Sequence, residues 1–193
     1  MASKGCKYIQ WAPFAATNPE PASAVPNYGT PVNLGALSKV TDSPSFNEAK
    51  TYGDNALAEY ASEFKECPVD IEVTELTNSV ASGIFGATLG AGEDTDLKFG
   101  TSDVAPYGGL AYIVCKQVNN ANKFQGIYFP KVKAAMQGEE YTTKGDSVTL
   151  TGGKIKFTAS ACNSGDWKIK SVELDTEAAA KTWVDAKIRA ATP

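Results

Sequence analysis

The stretch that most constrains the fold is residues 105–133, in which two apolar runs flank a polar turn cluster. The runs are Leu110–Cys115 and Phe124–Val132, and the turn cluster is VNNANK at residues 118–123. This composition predicts a β-hairpin. Because the first run is apolar in both alternating phases, we expect its strand to be buried on both faces and central in a sheet.

The second strand of this hairpin carries a proline and two lysines near its end. Pro130 lacks the N–H group that a sheet ladder requires, and Lys131 and Lys133 project from one face of the strand. Both features are typical of strands at the margin of a sheet. The second strand is therefore predicted to lie at an edge or rim.

Five of the ten prolines fall within residues 1–31, where a continuous strand or helix is excluded. We expect a proline-rich N-terminal arm there, with a strand only at Lys7–Trp11. Residues 32–174 are predicted to form one β domain, followed by a C-terminal helix at 175–193. The remaining predicted strands are 32–40, 46–52, 69–74, 147–151 and 154–160.

Two segments have helical patterns. Leu76, Val80 and Ile84 recur at a spacing of four ahead of Gly86, which predicts a short helix at 76–86. Residues 175–189 have acids in the first turn and bases in the last, as a stable helix prefers. Residues 56–64 fit a helix, a strand or a mobile loop equally well. The predicted class is mainly β (α+β): an antiparallel two-sheet sandwich or barrel with a short helix packed on it.

The chain has no histidine, and its four cysteines are scattered without a C-x-x-C pair. This composition disfavours a zinc site and removes the commonest general base. No nucleophile motif or phosphate loop is present, and the acids of residues 90–96 do not follow the calcium-loop spacing. We therefore expect no enzymatic activity, no metal and no cofactor.

Charge is unevenly distributed along the chain. Residues 42–103 contain thirteen acids and three lysines, whereas residues 104–170 contain nine lysines and four acids. Either a solvated monomer has oppositely charged faces, or copies associate head to tail through those faces. The single arginine, Arg189, argues against specific nucleic-acid recognition as the function class. No apolar stretch reaches membrane-spanning or signal-peptide length, so we expect a protein that stays in the cytoplasm that made it, or leaves within a particle.

Several motifs occur in an order that resembles the major tail proteins of long-tailed bacteriophages, the subunits of the tail tube. The resemblance covers residues 30–170 and rests on the following segments: TYGD (51–54), IFG (84–86), SDVAPYGGLAY (102–112), KFQGIYFPKVK (123–133), YTTKGDSVTLTGGKIKF (141–157) and GDWK (165–168).

The resemblance implies a structural virion protein that forms hexameric rings, stacked head to tail into a conduit for genome ejection. Its implied partners are other copies, tail proteins at the tube ends, a tape measure protein in the lumen and passing double-stranded DNA without specific binding. Its implied location is the virion tail, after assembly in the host cytoplasm, with no membrane association.

The resemblance also implies roles for particular residues. Residues 42–64 would be the extended loop that contacts the adjacent subunit or ring, and variants of Tyr52 or Asp54 should fold without polymerising. Asp70 and Glu72 would face the lumen and repel phosphates. The full set of predicted subunit-interface residues is Phe46, Tyr52, Gly53, Asp54, Tyr60, Phe64, Lys131 and Lys133.

Two other functions remain open at this point. The tube protein of a contractile injection or secretion machine would share the ring architecture. A stand-alone Ig-like module would instead bind a ligand or saccharide through exposed aromatic side chains, for which Trp11, Tyr107 and Trp167 are the candidates.

Overall fold

A computed structural model describes residues 2–22, 24–53, 56–90, 96–138 and 152–189. The fold is mainly β, as predicted, with two helices and a curled antiparallel sheet that forms a half-barrel. The elements in chain order are β1 Ala2–Pro13, β2 Val32–Asn33, β3 Leu37–Asp42, β4 Ser45–Gly53, β5 Ala56–Val73, α1 Asn78–Phe85, β6 Thr88–Leu89, β7 Leu97–Lys98, β8 Tyr107–Val118, β9 Ala121–Ala135, β10 Gly153–Ala159, β11 Ile169–Lys170 and α2 Glu177–Lys187.

The main sheet has the strand order β2-β1-β8-β9-β10-β5-β3, with β11 paired to β9 and β4 paired to β5. The sheet curls until β3, at one end, approaches β1 near the other. Cys6 Sγ on β1 lies 3.9 Å from the carbonyl oxygen of Ser38 on β3. The curl therefore encloses an interior.

Two hydrophobic cores lie on opposite faces of the sheet. The interior core draws side chains from most strands and from α1, and includes Ile9, Trp11, Val69, Ile71, Ile84, Phe129, Ile155 and Phe157. The second core lies beneath α2 and includes Ala111, Ile113, Tyr128, Ala180, Val184 and Ile188. β8 contributes side chains to both cores, and this explains why its residues are apolar on both faces of the strand.

The central hairpin is confirmed as β8 and β9. Its turn is Asn119-Asn120, with φ of 48° and 63°, the left-handed conformation that two-residue hairpin turns require. β8 lies between β1 and β9, as expected for a central strand.

The prediction that the second hairpin strand lies at an edge is wrong. β9 lies between β8 and β10. Pro130 is tolerated there because the β8 register passes from Leu110↔Phe129 to Gly108↔Val132. Pro130 and Lys131 thus face Gly109 in a bulge, where a ladder N–H is dispensable.

The N-terminal strand is longer than the predicted Lys7–Trp11, because β1 pairs with β8 from Ala2 to Pro13. The described residues that follow fold back onto the sheet. Tyr28 is buried, donates a hydrogen bond of 2.6 Å to the carbonyl of Pro130, and meets the hydroxyl of Tyr128. Burial raises the pKa of both tyrosines, so their hydroxyls stay protonated and available as donors.

Both predicted helices are confirmed, and each begins two residues later than predicted, at Asn78 and Glu177. Thr77 caps α1, and Gly86 ends it at φ 71°. Thr176 caps α2, whose first turn carries Glu177 and whose last turn carries Lys187. No helix in the described part of the chain is long and apolar enough to cross a membrane.

Most predicted strands are confirmed with shifted ends. The strands at 46–52, 69–74 and 154–160 correspond to β4, the end of β5 and β10, whereas the 32–40 strand is divided into β2 and β3 around Gly35, which has φ 107°. The ambiguous segment 56–64 is a strand within β5. The strand predicted at 147–151 lies outside the described residues.

Candidate self-association surface

A two-stranded ribbon is formed by β4 and the first part of β5, over residues 45–53 and 56–66. The rest of β5 pairs with β10 and β3 inside the main sheet. Among the described residues, the ribbon part of β5 pairs with β4 alone. The ribbon therefore extends beyond the sheet, although an isolated two-stranded hairpin is only marginally stable in water.

The two faces of the ribbon differ in chemistry. Cross-strand partners share a face, so Phe46 and Phe64 lie together, as do Lys50 and Tyr60. We call Phe46, Tyr60 and Phe64 the aromatic face. Phe46 is 47 % exposed and Tyr60 is 50 % exposed, so large apolar surface faces solvent there. The other face carries the small or polar residues Asn47, Ala49, Ala61 and Glu63.

The root of the ribbon is attached to the interior core by aromatic stacking. The register passes from Ser45↔Glu66 to Phe46↔Phe64, so Lys65 is an extra residue in a bulge. This shift lets Phe64 stack on Trp167, with ring centroids 4.5 Å apart and ring planes 10° apart. The aromatic face is therefore continuous with the core of the half-barrel.

Polar groups order the middle of the aromatic face. Lys50 Nζ lies 3.2 Å from Glu48 Oε2 and 5.6 Å from the centroid of the Tyr60 ring. A hydrogen bond from Tyr60, together with Lys50, lowers the pKa of Glu48 below its ordinary value. These contacts hold the Tyr60 ring on the surface of the ribbon.

The structure brings some of the predicted interface residues together on the ribbon. Phe46, Tyr60 and Phe64 form its aromatic face. The backbones of Tyr52 and Gly53 pair with Leu57 and Ala56 near the tip of the ribbon. The side chain of Tyr52 and the whole of Asp54 lie outside the described residues.

Lys131 and Lys133 lie on the main sheet, away from the ribbon. Their Nζ atoms are 5.1 and 5.2 Å from the centroid of the Tyr107 ring, so both lysines share one aromatic neighbour. Lys131 also forms an ion pair of 2.7 Å with Glu20. These two lysines form a separate surface from the ribbon.

Asp70 and Glu72 lie on the polar face of β5, as expected, and each has a lysine opposite it on a neighbouring strand. Asp70 is opposite Lys156 in the β10 pairing, and Glu72 is opposite Lys154. On the β3 side, Lys39 Nζ lies 3.8 Å from Glu72 Oε1. The acidic and basic segments of the sequence are therefore interleaved on this face of the sheet, because β5 pairs between strands that carry lysines.

The aromatic residues proposed for a ligand-binding module are not displayed together. Trp11 is 2 % exposed and belongs to the interior core, so its predicted exposure is wrong. Trp167 is half-buried between Phe64 and Phe129. Only Tyr107, 44 % exposed, meets that expectation. The role of Trp167 as an anchor for the ribbon is missed by sequence patterns, because its partners are far away in the chain.

A groove of about 650 Å³, which we call the end groove, opens where β5 leaves the sheet. Sequence patterns gave no sign of it, because its lining comes from four separate segments. The lining includes Leu76, Phe85, Lys98, Phe99, Met136 and Lys154.

No protein-family model matches the chain, and a search of curated proteins finds no significant similarity. The resemblance to tail tube subunits therefore rests on the sequence motifs, and the functions that follow from it are proposals.

Proposed function

We propose that this protein is the major tail tube subunit of a long-tailed bacteriophage, a structural virion protein without catalytic activity. Copies associate into hexameric rings, and the rings stack into the tube of the virion tail. Tail proteins bind the tube ends, a tape measure protein occupies the lumen during assembly, and double-stranded DNA passes through without specific binding.

The observation that carries this proposal is the ribbon with its aromatic face. Phe46 and Tyr60 are each about half exposed on an element that has no core of its own. Aromatic residues are enriched among the residues that dominate binding energy at protein interfaces. Contact with another copy would remove this surface from water and stabilise the ribbon.

The ribbon also offers backbone groups for association. Within the described chain, β4 and the ribbon part of β5 pair only with each other, so each has an unpaired outer edge. Such edges recruit strands from other chains unless something covers them. In a closed ring, neighbouring subunits supply that cover.

The polar face of β5 and β10 supports a conduit that does not hold DNA. Tight phosphate binding needs clusters of uncompensated basic side chains. On this face Asp70 of β5 lies opposite Lys156 of β10, and Glu72 lies opposite Lys154, so the negative and positive charges compensate each other. We keep Asp70 and Glu72 as proposed lumen residues, with the role of balancing the neighbouring lysines in place of the net repulsion of phosphates expected from the sequence.

A double substitution on the ribbon tests the proposal. Phe46→Ser with Tyr60→Ser removes the exposed aromatic rings and leaves the anchor Phe64 in place. Asn47→Ser, on the opposite face, is the matched control. We expect the wild type and the control to assemble into large particles in sedimentation velocity experiments, while the double variant stays folded and unassembled. Normal assembly of the double variant would reject the ribbon as the interface.

A further inference from the structure

The ribbon leaves the half-barrel at a break that affects both of its strands within a few residues. On one strand, β3 ends at Asp42, and Pro44, which has no N–H group to donate, separates it from β4. On the other strand, Lys65 is the extra residue of a bulge. A backbone hydrogen bond of 3.0 Å from Ser43 to the carbonyl of Pro68 lies close to this level. Because a bulge bends and twists its strand, such sparse backbone pairing leaves the direction of the ribbon to be fixed by side chains.

Two consecutive residues, Trp167 and Lys168, contact the two sides of this break, and we call them the splint. Trp167 contacts the ribbon side, where its ring stacks on Phe64 with the ring centroids 4.5 Å apart. Lys168 contacts the half-barrel side, where its ammonium group forms an ion pair with Asp42 at the end of β3. The side chains of Lys168 and Asp42 are 11 % and 28 % exposed, so their attraction is only partly screened by solvent.

The splint belongs to a turn, residues 160–168, that is held together by its own hydrogen bonds. The amide of Cys162 donates a hydrogen bond of 3.1 Å to the carbonyl of Asp166, and the amide of Gly165 donates one of 2.8 Å to the carbonyl of Cys162. Gly165 has φ 86°, a conformation that glycine adopts without steric cost. The turn contains the segment GDWK at residues 165–168, to which the aromatic face of the ribbon assigns no role.

The turn is attached to β9 on both sides. Before the splint, the amide of Ser160 donates a hydrogen bond of 3.0 Å to the carbonyl of Lys131. After the splint, Ile169 of β11 pairs with Tyr128. Since β9 lies between β8 and β10, the splint connects the ribbon to the middle of the main sheet rather than to its margin.

We propose that the splint fixes the direction in which the ribbon leaves the half-barrel, so that Trp167 and Lys168 are positioning residues for assembly. This inference rests on the proposed function and adds to it two residues outside the aromatic face. A contact surface that already points in one direction loses less conformational freedom when two copies associate. Every copy then presents its aromatic face in the same way, as the equivalent contacts of a closed ring require.

Distances between two spin labels test the direction of the ribbon in the full-length chain. One label replaces exposed Asn47 on the ribbon, and the other replaces exposed Lys154 on β10. Both labels are attached through a ketone-bearing amino acid, because the chain has free cysteines of its own. At a dilution that keeps copies apart, the otherwise unchanged chain should give one narrow distance distribution.

Substitutions in the splint should broaden this distribution. Trp167→Leu removes the stacked ring and Lys168→Met removes the ion pair, so each variant loses one half of the splint and should lose the single narrow peak. Trp167→Phe and Lys168→Arg keep a ring and a charge, so both should retain it. Because the two halves are tested separately, failure of one variant to fold, as checked by circular dichroism, leaves the other to decide.

Gly126→Ala is the matched control for a general loss of stability. A Cβ atom at Gly126 meets the ring of Trp183 beneath α2, away from the ribbon. This variant should therefore unfold at a lower temperature and keep the narrow distance distribution. Equal broadening in the control would overturn the inference, because the distribution would then follow overall stability. A narrow, unshifted distribution in Trp167→Leu and Lys168→Met would overturn it as well.

Sedimentation velocity separates this inference from the proposed function. Where the wild type assembles, Trp167→Leu and Lys168→Met should need a higher protein concentration to assemble, and an unchanged concentration dependence would reject their positioning role. A wild type that stays monomeric at every concentration would reject the proposed function. The distance distributions of the dilute chain would still show whether the splint holds the ribbon.

Discussion

Replacing Gly126 with alanine is predicted to loosen α2 from the sheet and destabilise the fold. Gly126 is buried on β9, where the ring of Trp183 from α2 lies against its Cα. A Cβ atom at this position would come within 2.5 Å of Trp183 Cζ3 and 3.1 Å of Trp183 Cδ2. Because these atoms belong to a rigid fused ring, the whole side chain must move.

The size of the effect follows from two opposing contributions. Overpacking of this kind costs about 1–3 kcal/mol. Replacing glycine with alanine also restricts the unfolded chain, which returns about 0.4–1 kcal/mol. The difference between these contributions spans about 0–2.6 kcal/mol, and we expect a net loss in the free energy of unfolding of roughly 1–2 kcal/mol because the Cβ meets a rigid ring. For a chain of this length, that loss lowers Tm by roughly 2–8 °C.

Urea unfolding followed by circular dichroism measures this loss, and a double-mutant cycle identifies its cause. In a Trp183→Leu background the fused ring is absent, so Gly126→Ala should cost much less. Gly138→Ala is the control, because a Cβ at Gly138 meets no atom within 4 Å. Equal losses from Gly126→Ala in both backgrounds would refute the packing of Trp183 on β9.

Three further predictions concern the helix cap, an ion pair and the ribbon root. Thr176→Ala should lower the free energy of unfolding by about 1 kcal/mol in urea, because it removes the α2 cap; an unchanged midpoint would contradict this. The ion pair with Lys7 lowers the pKa of Glu177 below its ordinary value of 4.5. The ion pair therefore stabilises the fold above pH 4.5, and this contribution is lost as the pH falls through the pKa that Glu177 has in the folded state. The Tm difference between wild type and Glu177→Gln should therefore shrink in acid, and a constant difference would oppose the ion pair. A double-mutant cycle of Phe64→Leu and Trp167→Leu should give a coupling of about 0.5–1.5 kcal/mol for the stacked rings, whereas zero coupling would exclude the stack.

The parts of the fold that depend on neighbours in sequence were predictable. The end of α1 at Gly86, the turn within residues 118–123 and the strand β10 all have local signals. Each of these features depends on local backbone conformation or on the burial of alternate residues, and the residue types in a short stretch of sequence indicate both.

The parts of the fold that depend on pairing between distant segments were not predictable from the sequence. Pro130 suggested an edge strand, because a sequence does not show that the β8 register would place it in a bulge. β1 extends to Ala2 because β8 offers an edge along its whole length, although residues 2–6 have little strand character of their own. Residues 56–64 were ambiguous because a ribbon beyond the core lacks the burial that creates a clear alternation.

The candidate site was predictable in part for the same reasons. The aromatic residues of the ribbon could be named from the sequence, but their common face follows from the β4–β5 register. The segregation of charge along the sequence did not predict its arrangement in space, because β5 pairs between β10 and β3 and interleaves acids with lysines.

Electron microscopy of the concentrated, purified protein tests the central claim most directly. We expect rings with hexameric symmetry, or tubes with a lumen of constant diameter, and a map in which the ribbon lies between copies. A protein that remains monomeric at high concentration, with the ribbon exposed to solvent, would contradict the proposal that this chain is a tube subunit.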